Sequence, residues 1–254
     1  SAEGSNPVKS DYPIESGWPT RMTNRAVRGL ELLNADTSIS FDEFSAIKHD
    51  NAYSPRYRGY AYLTSVAELE PDGPEEAQAL SLLRNWDLHT DTANRSAALG
   101  VCILLEEWQA ERTGNALPDG RETLHTCMDS VRDVAGQLDP EWGTVQQHGR
   151  GQRTWPAAGG PDTLRAMYAE QLEDEDDFLT VVAGDGLYYL IEWNAEGEQT
   201  IRGTHQYGSQ MTDESSPHYL DQAEPFSQEI MRTPGFYPEN RSATSRRYTV
   251  SSAD

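Results

Sequence analysis

Residues 205–222 read HQYGSQMTDESSPHYLDQ, with two histidines, three serines and three carboxylates in eighteen residues. Those are the side chains of a Ser/His/Asp hydrolase, in which an imidazole takes the serine proton and a carboxylate orients the imidazole. Such a triad needs its serine on a rigid element with the base in hydrogen-bond reach. Here Ser209, Ser215 and Ser216 lie among polar residues, with no Gly-x-Ser-x-Gly elbow around them. Ser215, Ser216 and Pro217 before HYLDQ read instead as a helix start whose hydroxyls cap free N–H groups. The stretch is read as architecture.

Other chemistry-bearing patterns are weaker. The histidines at 49, 89, 125, 148, 205 and 218 show neither H-x-x-x-H nor C-x-x-C company, which argues against zinc. The run EDEDD (173–177) is rich in hard oxygen donors, but Phe178 stands where a Ca²⁺ loop needs a ligand and the loop glycine is missing. It reads as a solvated turn. GRGQRT and AAGGPD do not complete G-x-G-x-x-G after a strand, so no nucleotide site is expected. Ser1 could act as a nucleophile with its own α-amine as base. That chemistry needs a rigid strand facing an oxyanion hole, and Ser1 opens a polar, Ser-, Pro- and Gly-rich segment.

The elements that would position these groups change character along the chain. Met22, Ala26, Leu30 and Leu33 recur at helical spacing in RMTNRAVRGLELL. Ser40 and Glu43 form a capping box ahead of FDEFSAIKHD, with Phe44 and Ile47 on one face. Residues 75–86, 94–112 and 121–138 are further helices, the second apolar enough to be largely buried. On the third, Leu124, Met128, Val131, Ala135 and Leu138 form one stripe. Residues 141–162 read as irregular. DFLTVVAG, GLYYLIEW and EQTIRGTHQYG then follow as β-type runs separated by GDG and NAEGE, which suggests an antiparallel meander. HYLDQAEPFSQEIMR (218–232) reads as a helix interrupted near Pro225. The fold class is α+β, with a mainly helical segment at 1–140 and a β meander, helix and tail at 141–254. A thin meander and sheetless helices suggest part of a larger fold.

The chain carries a formal net charge of −22, and Lys9 and Lys48 are its only lysines. An acidic surface repels nucleic acid and anionic lipid, so neither is expected as a partner. The arginine-for-lysine bias fits either high-salt adaptation or a GC-rich genome. No run approaches the roughly 20 apolar residues of a membrane span, and the first residues carry no apolar signal-peptide region. Cys102 and Cys127 fall in helices and read equally as a pair or as buried free thiols.

Four stretches carry a resemblance: GWPTRMTNRAVRGLELL (17–33), FDEFSAIKHDNAYSP (41–55), EWGTVQQHGRG…GGPDTLRA (141–166) and GTHQYGSQMTDESSPHYLDQAEPF (203–226). In order and approximate spacing they resemble the penicillin acylases, with the acyl-homoserine lactone acylase branch the nearest likeness. The resemblance implies an amidohydrolase of the N-terminal nucleophile superfamily with an αββα sandwich. It implies an exported precursor, hence a periplasmic or secreted protein, cut into two chains. The new N-terminal serine of the β chain attacks an amide carbonyl, and a main-chain group and an Asn side chain form the oxyanion hole.

This chain resembles the C-terminal part of such a β chain. Counting back from Arg21 puts Ser1 just after the oxyanion Asn, so that Asn and the nucleophile are expected before this chain, in a partner polypeptide of the same precursor or in removed sequence. Arg21 matches the family arginine near the active site. Asp11 lies one residue from an aspartate that helps bind a structural Ca²⁺ in many members; no cofactor is expected in catalysis. The expected substrates are small-molecule amides, acyl-homoserine lactones first and β-lactams second. The alternative is a catalytically inactive scaffold or binding segment.

Overall fold

The computed structural model describes residues 22–173 and 176–233. Ser1, Asp11 and Arg21 lie outside the described residues, as do two residues of the EDEDD run.

Among the described residues six helices come first. In α1 (Asn24–Ala35) the Thr23 side chain accepts from the Ala26 N–H. α2 (Phe41–Lys48) starts on the expected capping box, with the Ser40 and Glu43 side chains each bonded to the other's backbone N–H. α3 (Gly59–Ala67) had no place in the sequence reading. α4 (Pro74–Asn85) has its proline in the first turn, where no N–H is needed. α5 (Ala97–Thr113) and α6 (Gly120–Ala135) follow, the latter capped by Asp119.

Helices α3 to α6 enclose the main core. Leu63, Val66, Leu80, Leu99, Ile103 and Leu124 are at most 3% exposed, and each such burial is worth about 1.5–3 kcal/mol. Leu124, Met128 and Val131 of the predicted stripe face this core. Trp86 packs on Gly100, where an added Cβ would meet its ring at 2.2 Å. A Cys102–Cys127 disulfide ties α5 to α6, which resolves the two readings left open by the sequence.

The stripe on α1 is a correction. Its polar side, through Asn24, Arg28 and Glu31, bonds the body of the protein, while Leu30 and Leu33 are 37% and 43% exposed. Phe44 of α2 is also exposed. Helical periodicity was read correctly and Ala26 of the stripe is buried, but Asn24 is buried beside it, because its side chain satisfies the Ala52 and Asp162 carbonyls.

The irregular reading of 141–162 is also overturned over 142–156, while 157–162 is irregular as expected. This stretch holds a short turn, α7 (Trp142–Val145), then β1 (Gln146–Arg150) and β2 (Arg153–Pro156). They join β3 (Met167–Glu170) and β4 (Leu179–Gly184) in a sheet of order β2-β1-β4-β3, with β1 and β4 parallel and the other pairs antiparallel. β5 (Leu187–Trp193) and β6 (Gln199–His205) form a separate antiparallel hairpin. The expected meander is therefore broken between its first and second strands. The cause is Asp185: its carboxylate binds Lys48 and Arg165, and its N–H donates to the Ala166 carbonyl. Gly184, at φ +122°, makes the bend, and a Cβ there would strike that same carbonyl at 2.2 Å. The chain is thus turned away from its sheet towards α2. The predicted helix over 218–232 reduces to α8 (Ala223–Ser227).

Candidate functional site

Immediately after Arg21 the chain enters a buried polar junction. Asn24 is fully buried and bonds in every direction. Its backbone N–H donates to Asp162 Oδ2 at 2.6 Å, and its Nδ2 donates to the Asp162 and Ala52 carbonyls at 2.9 and 3.2 Å. Its Oδ1 accepts from the Ser54 N–H at 2.8 Å. Tyr53 donates its hydroxyl to the Pro161 carbonyl, and Arg25 donates to the Thr163 carbonyl. Asp162 takes a positive φ of 59° in the GGPDT turn, a conformation aspartate tolerates better than most side chains. Burial raises the Asp162 carboxyl, opposed by the Asn24 N–H and Arg25. The junction fixes the start of α1.

A second cluster surrounds Arg165, which is 1% exposed. Its guanidinium bonds Asp185, Glu229 and the Phe226 carbonyl and lies over the Phe226 ring at 4.4 Å. Lys48 shares Asp185 and donates to the Leu164 carbonyl. Two cations and two carboxylates balance here, as buried charge requires. His49 beside them bonds the Tyr188 hydroxyl at 2.6 Å. Burial, then Arg165 and Lys48, lower its imidazole to about 4, so it is neutral at ordinary pH.

The HQYGSQMTDESSPHYLDQ stretch behaves as architecture. Ser215 donates to Asp213 at 2.6 Å, and Ser216 Oγ accepts from the His218 N–H. His218 pairs with Asp221, and His205 Nδ1 accepts from the Tyr207 N–H. These are local turn contacts, and no serine hydroxyl reaches an imidazole among the described residues. His148, which the sequence reading left without a role, is buried, stacks on Tyr207 at 5.0 Å and bonds the Gln206 carbonyl.

A Ca²⁺ takes about six to eight oxygen ligands. The described residues contain no group of three or more His, Cys, Asp or Glu side chains placed to hold a metal ion, and Asp11 lies outside them. Asn24, Asp162 and Arg165 were not singled out by sequence reasoning. The signal for Asp162 and Arg165 was the motif GGPDTLRA, whose polar residues have no helical or strand periodicity to justify them; Asn24 lay within the stretch GWPTRMTNRAVRGLELL.

All four stretches that carry the resemblance meet in this structure. Asn24 joins the first to the second and third, and Arg165 and His148 join the third to the fourth. A family model described as penicillin amidase matches residues 2–243. That span includes Asp11 and Arg21, and the family points to amide hydrolysis by enzymes that are typically processed into separate chains. The chain belongs to the penicillin amidase family.

Proposed function

We propose that the chain is the C-terminal part of the β chain of an acylase that cleaves the acyl amide of N-acylated small molecules, acyl-homoserine lactones before β-lactams. The nucleophilic serine and the oxyanion Asn stand elsewhere in the same precursor. Serine attacks the amide carbonyl, the amine departs, and water hydrolyses the acyl ester. Arg21 stands beside that centre, Asp11 contributes an oxygen to a structural Ca²⁺, and the segment packs into an αββα sandwich. The observation that carries this reading is the convergence of the four matching stretches on one buried polar network, whose Asn24–Asp162 contact lies three residues from Arg21. The Cys102–Cys127 disulfide supports a periplasmic or secreted site, because such bonds persist in oxidising compartments.

Native and denaturing mass spectrometry of the purified protein tests the reading. A second, serine-initiated polypeptide and hydrolysis of acyl-homoserine lactones are the expected results. Arg21→Ala should then lower turnover with the fold intact, and Asp11→Ala should remove stabilisation by added Ca²⁺. A 28.3 kDa chain that hydrolyses amides alone and loses all turnover on Ser1→Ala would overturn the assignment of the nucleophile. A folded assembly with no amidase activity would favour the scaffold.

A further inference from the structure

Between α5, α6 and the four-stranded sheet lies a slot of about 180 Å³. Its walls include Val101 of α5, Val131 and Val134 of α6, Trp142 and Val145 of α7, and Leu179 of β4. Val101, Val131, Trp142 and Val145 are at most 6% exposed, so the slot reaches into the core. The N–H groups along it are already spent. Trp142 Nε1 donates to the Gly159 carbonyl at 2.9 Å, and Gln146 Nε2 donates to the Ala157 and Gly159 carbonyls at 2.9 and 3.0 Å. A buried water needs two to four polar partners, whereas an apolar cavity of about 150 Å³ stays dry and takes up benzene. Water is therefore a poor occupant of this slot and a hydrocarbon a good one. Cys102 stands in the wall, and its bond to Cys127 fixes the spacing of α5 and α6, so the space is pre-formed.

Shape and charge say which hydrocarbon. The slot is lined along α5 from Ala98 to Gln109, about three turns of helix, so it suits a straight chain better than a compact ring. A methylene takes roughly the 30 Å³ of a water molecule, so about six fit. Glu106 and Gln109 stand towards one end. The Glu106 carboxylate makes no hydrogen bond or ion pair among the described residues, and the chain as a whole carries −22. An ammonium head is attracted to that end and a carboxylate head is repelled.

We propose that this slot binds a primary alkylammonium ion, its straight chain lying along α5 and its head on Glu106. The test titrates the natively purified protein, labelled at its valine and leucine methyls, with butylamine, pentylamine, hexylamine and hexanoate at neutral pH and constant ionic strength, and follows the methyl signals by NMR. The amines should shift the Val101, Val131 and Leu179 methyls saturably, with affinity rising about fourfold for each methylene buried. Hexanoate should bind at least about tenfold more weakly than hexylamine. Val134→Phe, which fills the slot, should abolish the shifts, and Glu106→Gln should weaken hexylamine about tenfold, both with the melting temperature little changed. If Val134→Phe does not fold, the chain-length series and Glu106→Gln decide. No shift at these methyls, an affinity independent of chain length, hexanoate binding as tightly as hexylamine, or unchanged binding in Glu106→Gln overturns the proposal.

Discussion

Removing the Cys102–Cys127 bond, as Cys102→Ala/Cys127→Ala, should destabilise the protein by an amount the chain separation sets. The bond joins the middles of α5 and α6 across 25 residues. Closing a loop of that length in the unfolded chain removes about 12 cal/mol/K, or about 3.5 kcal/mol at 25 °C. Each kcal/mol moves the melting temperature by about 2–4 °C in a protein of this size, so the fall should be about 7–14 °C. Both alanines lose little volume, and Cys127 sits in a core that keeps Leu124 and Met128, so the cavity contribution is minor. Thermal unfolding followed by circular dichroism, at matched concentration and pH, reads the difference. A variant melting within about 2 °C of the parent would refute the loop-entropy reasoning. It would mean that the unfolded chain already holds α5 against α6.

Three further outcomes follow from the geometry. Asp162→Ala should cost about 1–3 kcal/mol, because the buried Asn24 N–H loses its acceptor. Asn at 162, which keeps an acceptor and tolerates positive φ, should recover most of it in denaturant titration; equal loss in both variants would sink the account. His49 titrates near 4 when folded and near 6.5 when unfolded, so protons bind the unfolded chain first and stability should fall as pH drops from 6.5 to 4. That slope should be shallower in His49→Gln, and identical melting curves against pH would contradict it. Gly100→Ala should push Trp86 from its seat at a cost of about 1–3 kcal/mol. Unchanged near-ultraviolet dichroism and melting temperature would show that the ring has room.

The helical half was legible because each signal is local. The Ser40–Glu43 box and the Leu124–Met128–Val131 stripe need only neighbours a turn away. Periodicity could not say which side of α1 is buried. That depended on Asn24 finding Asp162, 138 residues along the chain. Nor could it pair the strands. β1 was hidden because GTVQQHGRG has no alternation, and His148 and Gln146 are buried there as hydrogen-bonded polar groups. The candidate site was legible only as motifs. GGPDTLRA was visible as a pattern, while its work of joining α1, the 50–55 loop and α8 was not.

By itself, the sequence determined the mixed α+β composition, the acidic charge, the Ser40–Glu43 capping box and, through the order of four motifs, membership of the penicillin amidase family. These depend on residue type and short spacing. Tertiary structure alone decided that β4 and β5 part company, that Cys102 and Cys127 are bonded, and that HQYGSQMTDESSPHYLDQ is spent on turns. The reason is physical. Asp185 chooses Lys48 and Arg165, and Asn24 chooses Asp162, because a buried charge or amide must be satisfied by whichever partner the fold brings within 3 Å or so. Those partners lie 20 to 138 residues away, beyond the reach of any periodicity.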